Sequence, residues 1–522
     1  MRGSENDAAD SHVEQDGASP GTPCRQPWPR WCLAVTTPLR TLYDRQRMSL
    51  AVATIGPRAF ARRWRWVLGG VLLLDVLKHT ALLVSGQTQP WGDSPTYWQL
   101  GEEAAGGNWW LTDSALASRT PGYPWFLAVC LALFGKQALL AVVIAQHLAV
   151  MFTTWATVWW SWRLTQREGA AVAAAMWCAF STARPLYANW ILTETWATCA
   201  LTFCAVALDR ALHSQRLRWT IIAGGTLGAG ILIRPALLAA VPAVLIACGW
   251  ELARAEKRTA AQYVSAGAGL IVMIALLAPW CLRNWLMFDR FALTVFTGRQ
   301  LWKAAFDPWP GGELPLPDDG PGAALRARIA DPAVDWRHNW SVAAALSRSG
   351  LKDHELDILM EQVAWQAIRR HPGQALIRLC ARCATFWYVR EWEPPAIDGQ
   401  GGRGVFRGQR EFSIPVFASG MEGALRWTPE RCFPAMWLWS AAAWWGVAQT
   451  VVSPTQRRTG VLLAAIVGCT TLATAALEVP VYRYRSVLEP LMIVAVVNGS
   501  AAVARRRPSA PSDAPARQTT TG

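Results

Sequence analysis

The chain has 522 residues, of which 52% are hydrophobic and only 16% are charged. An ordinary soluble protein is excluded, because about a quarter of the residues of such proteins are charged. The formal net charge is +14, but the arginines and lysines form short clusters between long apolar blocks instead of one basic face. This distribution is typical of a multi-pass membrane protein and argues against nucleic-acid binding.

The first segment, residues 1–63, is rich in Pro, Ser and charged residues over most of its length and contains no block suited to span a bilayer. The sequence therefore predicts a disordered cytoplasmic arm. Met48 stands just before a basic stretch and the first apolar block, which makes it an alternative translation start.

Basic clusters predict the path of the chain, since such clusters favour the cytoplasmic side of a membrane. With all of them inside, both termini are cytoplasmic and the number of crossings is even. The apolar blocks approach the roughly 20 residues that a spanning helix requires. The sequence predicts an all-α membrane protein with about ten to twelve spanning helices, ten of which are placed at about 65–85, 137–162, 169–188, 190–209, 219–234, 235–252, 262–284, 432–452, 460–478 and 484–504.

The predicted spans divide the chain into regions. Residues 121–135 are apolar but too short to fit this scheme, and we interpret them as a re-entrant or tilted segment. Residues 376–389 carry two arginines among aromatic residues, which favours an interfacial amphipathic helix. The regions are the arm 1–63, an N-terminal transmembrane module 64–285 with a first outer loop 86–120, an outer region 286–431, C-terminal transmembrane helices 432–504 and a cytoplasmic tail 505–522.

The first outer loop contains residues that typically begin and end a short helix. Ser94 is a suitable N-cap, Pro95 suits the first helical position, and the pair Gly106 and Gly107 ends the helix. Asp93 is thus predicted to lie just ahead of the cap, where the helix dipole favours its ionised form. The simpler alternative is that Asp93 only helps to cap the helix.

Arg119 follows at the exit of the same loop. A guanidinium there can pair with two phosphate oxygens at once, although interfacial snorkelling is the simpler alternative. Several arginines together with carboxylates describe an anion-binding cleft, a pattern that suits transfer from a lipid phosphate. Further residues predicted at the same outer face are Tyr97, Glu194, Arg234, Arg283, Arg483 and Arg485.

A set of short motifs in this order resembles the bacterial GT-C glycosyltransferases, in particular the branch similar to protein mannosyltransferases and lipid A aminoarabinose transferases. The resemblance covers about residues 64–503. Its motifs are D-S-x-x-Y at 93–97, R-T-P-G-Y-P at 119–124, L-T-E-T at 192–195, R-P at 234–235, P-W-x-x-R-N at 279–284, R-H-P at 370–372 and R-Y-R-S-V-L-E-P at 483–490.

The resemblance implies a polyprenyl-phosphate-linked sugar as donor and action at the periplasmic face of the inner membrane. Asp93 would be the general base of a single inverting displacement, and the acceptor, a lipid, a glycan or a protein, stays open. No cofactor is expected, and no metal, because no acidic or histidine cluster has ligand spacing. The donor phosphate would be bound by Arg119, Arg234, Arg483 and Arg485, with Tyr97, Glu194 and Arg283 as further cleft residues.

Two departures from the family pattern stand out. Ser94 follows Asp93 where many members have a second carboxylate, and Arg119 falls where the aminoarabinose branch has an acidic residue. A transporter or flippase for a lipid-linked saccharide is the main alternative function, although it predicts charges deep within broken spans. A membrane-embedded scaffold, which would use the polar face as a protein interface, is the other.

Overall fold

The computed structural model describes residues 62–85, 92–114, 117–181, 183–254, 260–308, 311–329, 331–388, 436–478, 480 and 482–506. Within these ranges the regular elements are helices and there is no strand, which confirms the predicted all-α class. Most of the predicted arm 1–63 and of the predicted tail 505–522 lies outside the described residues.

The N-terminal part is a bundle of apolar helices with one short polar helix, α2, in the predicted first outer loop. Its helices are α1 (Arg62–Ser85), α2 (Ser94–Ala105), α3 (Gly122–Phe134), α4 (Ala138–Thr165), α5 (Glu168–Phe180), α6 (Ala183–Tyr187), α7 (Glu194–Ser214), α8 (Leu217–Ile233), α9 (Ala240–Arg254) and α10 (Ala260–Phe288).

Six helical stretches among the described residues are long and apolar enough to cross a membrane, judged by length and composition. The helices α5 and α8 are apolar but shorter. The predicted total of ten to twelve spans therefore stays a prediction. The six stretches are Trp64–Val84, Gly122–Thr165, Pro235–Arg254, Ala266–Phe288, Arg457–Leu477 and Arg483–Arg505.

The stretch Gly122–Thr165 is bent back on itself. A 3-10 turn at Gly135–Gln137 separates α3 from α4, and Gly135 adopts a φ of +49°, which a glycine tolerates best. The Tyr123 hydroxyl donates to Gln146 Oε1 at 2.8 Å, far from the turn, so the two helices run side by side in opposite directions. The 13 residues of α3 rise only about 20 Å, so their interpretation as a re-entrant or tilted segment stays a prediction.

One predicted span, 169–188, is wrong as a single helix. Helix α5 ends at Phe180 and the separate short helix α6 follows. Pro185 explains the break, because a proline ring clashes with the carbonyl four residues earlier and has no N–H to donate. The Lys78 ammonium of α1 satisfies the carbonyls near the break, with Nζ 2.9 to 3.0 Å from three of them, those of Cys178, Ala179 and Ser181.

Small residues bring the helices close together. A Cβ added to Gly446 would lie 2.5 Å from the carbonyl oxygen of Ala495, and one added to Gly224 would lie 1.9 Å from that of Gly269. Close backbone contact through small residues is the usual way in which membrane helices pack. The C-terminal helices are α16 (Met436–Val452), α17 (Arg457–Leu477), α18 (Tyr482–Arg485) and α19 (Glu489–Arg506).

Within the predicted outer region, residues 297–388 form a small helical unit, called the outer unit below, with its own core in which Trp302 and Leu325 are fully buried. Its last helix carries the segment that the sequence predicts to be interfacial. Arg378 and Arg382 in that helix are only 1% exposed, and the Arg382 Nε donates to the Ala475 carbonyl at 2.6 Å. The helices are α11 (Thr297–Phe306), α12 (Gly320–Arg328), α13 (Asn339–Arg348), α14 (Asp353–Arg370) and α15 (Pro372–Tyr388).

Candidate active site

A cavity of about 410 Å³ lies where α2, the start of α7, the end of α8, α11 and α18 meet. Most of its polar lining comes from helix ends, because side chains there can leave the apolar bundle. Its polar and aromatic side chains include Asp93, Tyr97, Arg119, Arg234, Phe296, Gln300, Lys303, Trp340, Glu478, Arg483 and Tyr484.

Asp93 lies at the wall of this cavity and is held by two arginines. Arg119 Nη2 donates to Asp93 Oδ1 at 2.6 Å, and Arg483 Nη2 donates to Asp93 Oδ2 at 3.3 Å. The prediction that Ser94 is the N-cap of α2 is wrong by one residue, since Asp93 itself occupies the cap position. Its side chain nevertheless makes no capping hydrogen bond, so the simpler alternative that it only caps the helix is wrong too.

Two opposing effects, burial and nearby positive charge, determine the pKa of Asp93. Burial would raise its pKa, but the charges of Arg119 and Arg483 outweigh burial and hold the pKa of the carboxyl below its ordinary value. Burial likewise disfavours the charge of Arg119, yet Tyr97 and Asp93 raise the pKa of the guanidinium above its usual range. Both groups are therefore charged at neutral pH.

Glu194 forms a second layer behind the cavity wall. Its side chain is 1% exposed and pairs with two arginines: Arg234 Nη1 lies 3.0 Å from Oε1, and the Arg483 Nε contacts the same oxygen. Arg234 also donates to Thr193 Oγ1 at 2.8 Å. Arg483 thus bridges Asp93 and Glu194, so one connected network joins α2, α7, α8 and α18.

The position of Arg234 follows from local sequence. It has an extended backbone (φ −142°, ψ 105°) and ends α8, as expected for a residue that precedes a proline. The side chain then lies over the ring of Tyr484, with 4.9 Å from Cζ to the ring centroid. Arg119 makes a similar contact with Tyr97 at 5.4 Å, so aromatic faces help to orient the cavity arginines.

Two predicted residues are not brought to the cavity. Arg283 donates from Nε to the Trp110 carbonyl at 3.0 Å and from Nη2 to the Leu111 carbonyl at 2.5 Å, so it fixes the segment that follows α2. Arg485 is 1% exposed and donates to the Phe386 carbonyl at 2.9 Å. Both guanidiniums bind backbone, which makes them structural in this arrangement.

Other cavity residues escaped the sequence reasoning. Gln300 and Lys303 of α11, Trp340 of α13 and Glu478 after α17 line the cavity beside the predicted arginines. Gln300 Nε2 donates to Glu478 Oε1 at 2.6 Å. The sequence does contain a pattern that indicates a polar helix face at α11: Thr297, Gln300 and Lys303 recur at every third position, which places them on one side of the helix.

The described part of the chain holds no group of three or more His, Cys, Asp or Glu side chains suited to bind a metal ion. The charged groups of the cavity are instead three arginines, a lysine and two carboxylates, with a third carboxylate behind the wall. Such a set can hold a phosphate and, at Asp93, accept a proton.

Comparison with known proteins points to one family. Residues 118–282 match the family of dolichyl-phosphate-mannose-protein mannosyltransferases. This match confirms the resemblance to GT-C glycosyltransferases that the motifs predict. It includes three residues of the network, Arg119, Glu194 and Arg234, whereas Asp93 and Arg483 lie outside it. No curated protein sequence matches the chain.

Solved structures of low identity are also similar. The oligosaccharyltransferase AglB from Archaeoglobus fulgidus, in complex with an inhibitory peptide and a dolichol-phosphate, is 12% identical with a TM-score of 0.43. The match covers 85% of this chain and 50% of AglB, so the chain spans about half the length of that protein. ArnT from Cupriavidus metallidurans, bound to undecaprenyl phosphate, is 16% identical with a TM-score of 0.34, over 85% of this chain and 78% of ArnT.

Proposed function

We propose that this chain is a membrane glycosyltransferase of the GT-C type that moves a sugar from a polyprenyl-phosphate donor to an acceptor hydroxyl. One observation carries the proposal: a carboxylate, Asp93, shares the wall of a cavity of about 410 Å³ with three arginines at the meeting point of several helix ends. The description of the matched family, which names a dolichyl-phosphate-linked mannose, supports the donor class.

The three arginines of the cavity supply the binding site for the donor phosphate. Arg119, Arg234 and Arg483 come from three distant parts of the chain and converge on one cavity. Charge-assisted hydrogen bonds from a guanidinium to phosphate oxygens are strong, and they strengthen as negative charge develops on the leaving phosphate. A leaving group stabilised in this way needs no proton from a general acid.

Asp93 serves as the general base. The acceptor hydroxyl oxygen attacks the anomeric carbon, the bond from that carbon to the phosphate oxygen breaks with its electron pair, and the hydroxyl proton passes to an Asp93 oxygen. This single displacement inverts the anomeric configuration. Proton transfer to a positioned base contributes about 10²–10⁴-fold to such reactions.

Donor binding also prepares the base. In the structure Arg119 and Arg483 neutralise Asp93, which keeps the carboxylate ionised but weakly basic. A donor phosphate competes for the same guanidiniums, so binding draws positive charge away from Asp93 and raises its pKa toward that of a better base. The base becomes effective only when the donor is in place.

The predicted topology gives the location. With the basic clusters inside, the cavity opens on the periplasmic side of an inner membrane and both termini are cytoplasmic. This orientation suits a lipid-linked donor, because a polyprenyl chain stays in the bilayer while its phosphate reaches the helix ends. The acceptor is a lipid, a glycan or a protein that meets the donor there.

Reconstitution tests the proposal against its rivals. The full chain is placed in liposomes with a radiolabelled polyprenyl-phosphate hexose and extracted membrane acceptors. Label that moves to an acceptor, and does so far more slowly with Asp93→Asn, supports the transferase. Label that crosses the bilayer without transfer shows a flippase, and the absence of both leaves a scaffold role; either result contradicts the proposal.

A further inference from the structure

We infer that the half of the cavity formed by α11, Trp340 and Glu478 binds the sugar ring of the donor, an inference that rests on the proposed function. This half is distinct from the arginine network around Asp93 and contains the cavity residues that the sequence did not predict. Its chemistry is that of a carbohydrate site: an aromatic ring lines the same cavity as a carboxylate, an amide and an ammonium group.

Trp340 provides the aromatic face. Its side chain lines the cavity and is 45% exposed, which leaves much of the ring accessible. The C–H groups on one face of a sugar ring are apolar and carry partial positive charge, so they pack against the electron-rich face of an indole. An exposed Trp inside a cavity with polar walls therefore fits a sugar better than a lipid chain.

The ring of Trp340 has an aromatic and a cationic neighbour. It lies 5.9 Å from the ring of Phe296, measured between centroids, and Arg299 Cζ lies 5.7 Å from its centroid. Arg299 is 3% exposed and paired with Asp353 at 2.6 Å and Asp357 at 3.2 Å. This clamped guanidinium makes Trp340 a preorganised surface, which lowers the entropy cost of binding.

Three polar side chains, those of Glu478, Gln300 and Lys303, line the same cavity as Trp340. Glu478 accepts hydrogen bonds from Gln300 Nε2 at 2.6 Å and from the Tyr484 hydroxyl at 3.0 Å, and Lys303 Nζ lies 3.7 Å from it. The Gln300 Oε1 has no hydrogen-bond partner among the described residues. Carboxylate, amide and ammonium groups can accept from and donate to the hydroxyl groups around a sugar ring, which is how such a site selects one sugar over another.

Two residues join this half of the cavity to the arginine network. Phe296 lies between Trp340 and Arg119, whose Cζ is 5.7 Å from the Phe296 ring centroid. On the other wall, Tyr484 bonds Glu478 through its hydroxyl and lies under Arg234. A sugar bonded directly to a phosphate would thus extend from the guanidiniums toward Trp340, which favours the donor sugar over an acceptor glycan.

Binding measurements on the full chain in nanodiscs test this inference. The probes are polyprenyl phosphate alone and the same carrier loaded with a hexose, in competition with a radiolabelled carrier. Trp340→Ala is expected to weaken the loaded carrier about 10-fold and the bare carrier less than twofold, with Trp340→Phe between the two. Trp365→Ala is the matched control, since Trp365 is 41% exposed in the same outer unit but outside the cavity.

The outcomes separate this inference from the proposed function. If wild type binds and transfers, but Trp340→Ala weakens both carriers equally, weakens neither, or raises only the KM for the acceptor, the sugar site is wrong and the transferase stands. If wild type neither binds the carriers nor transfers sugar, the proposed function fails and the inference fails with it. A melting temperature of Trp340→Ala close to that of wild type guards against misfolding.

Discussion

Replacing Glu194 by Gln removes a buried charge without changing the shape of the side chain. In the wild-type protein this carboxylate is 1% exposed and neutralises Arg234 and Arg483 together. Without it, Arg483 keeps Asp93 as a partner, whereas Arg234 loses its carboxylate and retains the Thr193 hydroxyl and the Tyr484 ring, both uncharged. In the variant, the buried guanidinium of Arg234 has no carboxylate partner, and the positive charges of Arg234 and Arg483 lie close together with no negative charge between them.

The magnitude follows from that geometry. Removing one partner of a buried ion pair typically costs about 3–5 kcal/mol, and we expect the lower end, about 3 kcal/mol, because both arginines have some exposure at the cavity. At roughly 2 °C per kcal/mol for a long chain, the melting temperature should fall by about 6 °C. The measurement is thermal unfolding of the purified protein in one detergent.

A matched control distinguishes the stability that a buried ion pair contributes from that of an exposed pair at a similar distance. Glu251 pairs with Arg458 at 2.9 Å, nearly the distance of the Glu194–Arg234 pair, but the two side chains are 21% and 46% exposed. A pair of this kind contributes about 0–1 kcal/mol, so Glu251→Gln should lower the melting temperature by less than about 2 °C. Equal shifts in the two variants would refute the argument that the buried network stabilises the site.

The donor phosphate adds a second readout. Since a phosphate replaces the missing negative charge, polyprenyl phosphate should raise the melting temperature of Glu194→Gln more than that of wild type. Saturation at about 100 times the Kd contributes about 2.7 kcal/mol, which would restore most of the lost stability. A smaller effect on the variant than on wild type would mean that the phosphate does not bind beside Arg234 and Arg483.

Three further predictions concern catalysis. Asp93→Asn should lower the transfer rate by about 10²–10⁴-fold without weakening donor binding, and full activity would remove Asp93 as the base. Because the pKa of Asp93 is held below its ordinary value, kcat/KM should stay level through mildly acidic pH and fall only as the pH drops below the range of an ordinary aspartate; a decline that begins near neutrality would contradict this. Arg119→Ala should weaken donor binding about 10–100-fold and shift that fall to higher pH, whereas the exposed Arg337→Ala should change neither.

Much of the site could be predicted because it lies at helix ends. Ser94, Pro95 and the glycine pair marked a short outer helix, and the charge pattern placed Arg119, Arg234 and Arg483 on one face. Glu194 also belonged to that face, and the structure joins it to the arginines. These inferences needed only local signals, namely capping residues and the sidedness of basic clusters.

The direction in which an arginine side chain points was harder to predict than the end of the helix at which it lies. Arg483 and Arg485 stand two residues apart in α18, which places them on opposite sides of a helix. Only one of them can face the cavity, and sequence alone does not say which. Arg283 is a similar case, because the sequence does not distinguish a guanidinium that binds a backbone carbonyl from one that binds a phosphate.

The outer unit was the least predictable part. Lys303 and Trp340 reach the cavity only because α11 and α13 pack on α14 around a core of their own. Such packing depends on contacts between residues far apart in sequence, so a periodic pattern can identify a polar helix face but not its partner. The break of α5 was predictable in principle from Pro185, whereas the role of Lys78 at the freed carbonyls was not.

Asp307 carries a last prediction, on stability in the outer unit. It follows α11 directly, where the helix dipole disfavours a carboxylate. Its side chain is buried, and its Oδ1 has no hydrogen-bond partner among the described residues. Burial raises the pKa of Asp307 to about 6, against the opposing charge of Lys303, so the folded protein binds a proton that the unfolded chain has already released.

The sign of the pH effect follows. Since the folded state holds more protons between about pH 4 and pH 6, stability should fall as the pH rises through that window. A shift of about two units corresponds to roughly 3 kcal/mol, so Asp307→Asn should stabilise the protein at pH 7.5 by about 1–3 kcal/mol and show no advantage below about pH 4. Unfolding at both pH values measures this, with the exposed Asp318→Asn as control. A stabilisation independent of pH, or equal in the control, would mean that the Asp307 charge is not the cause.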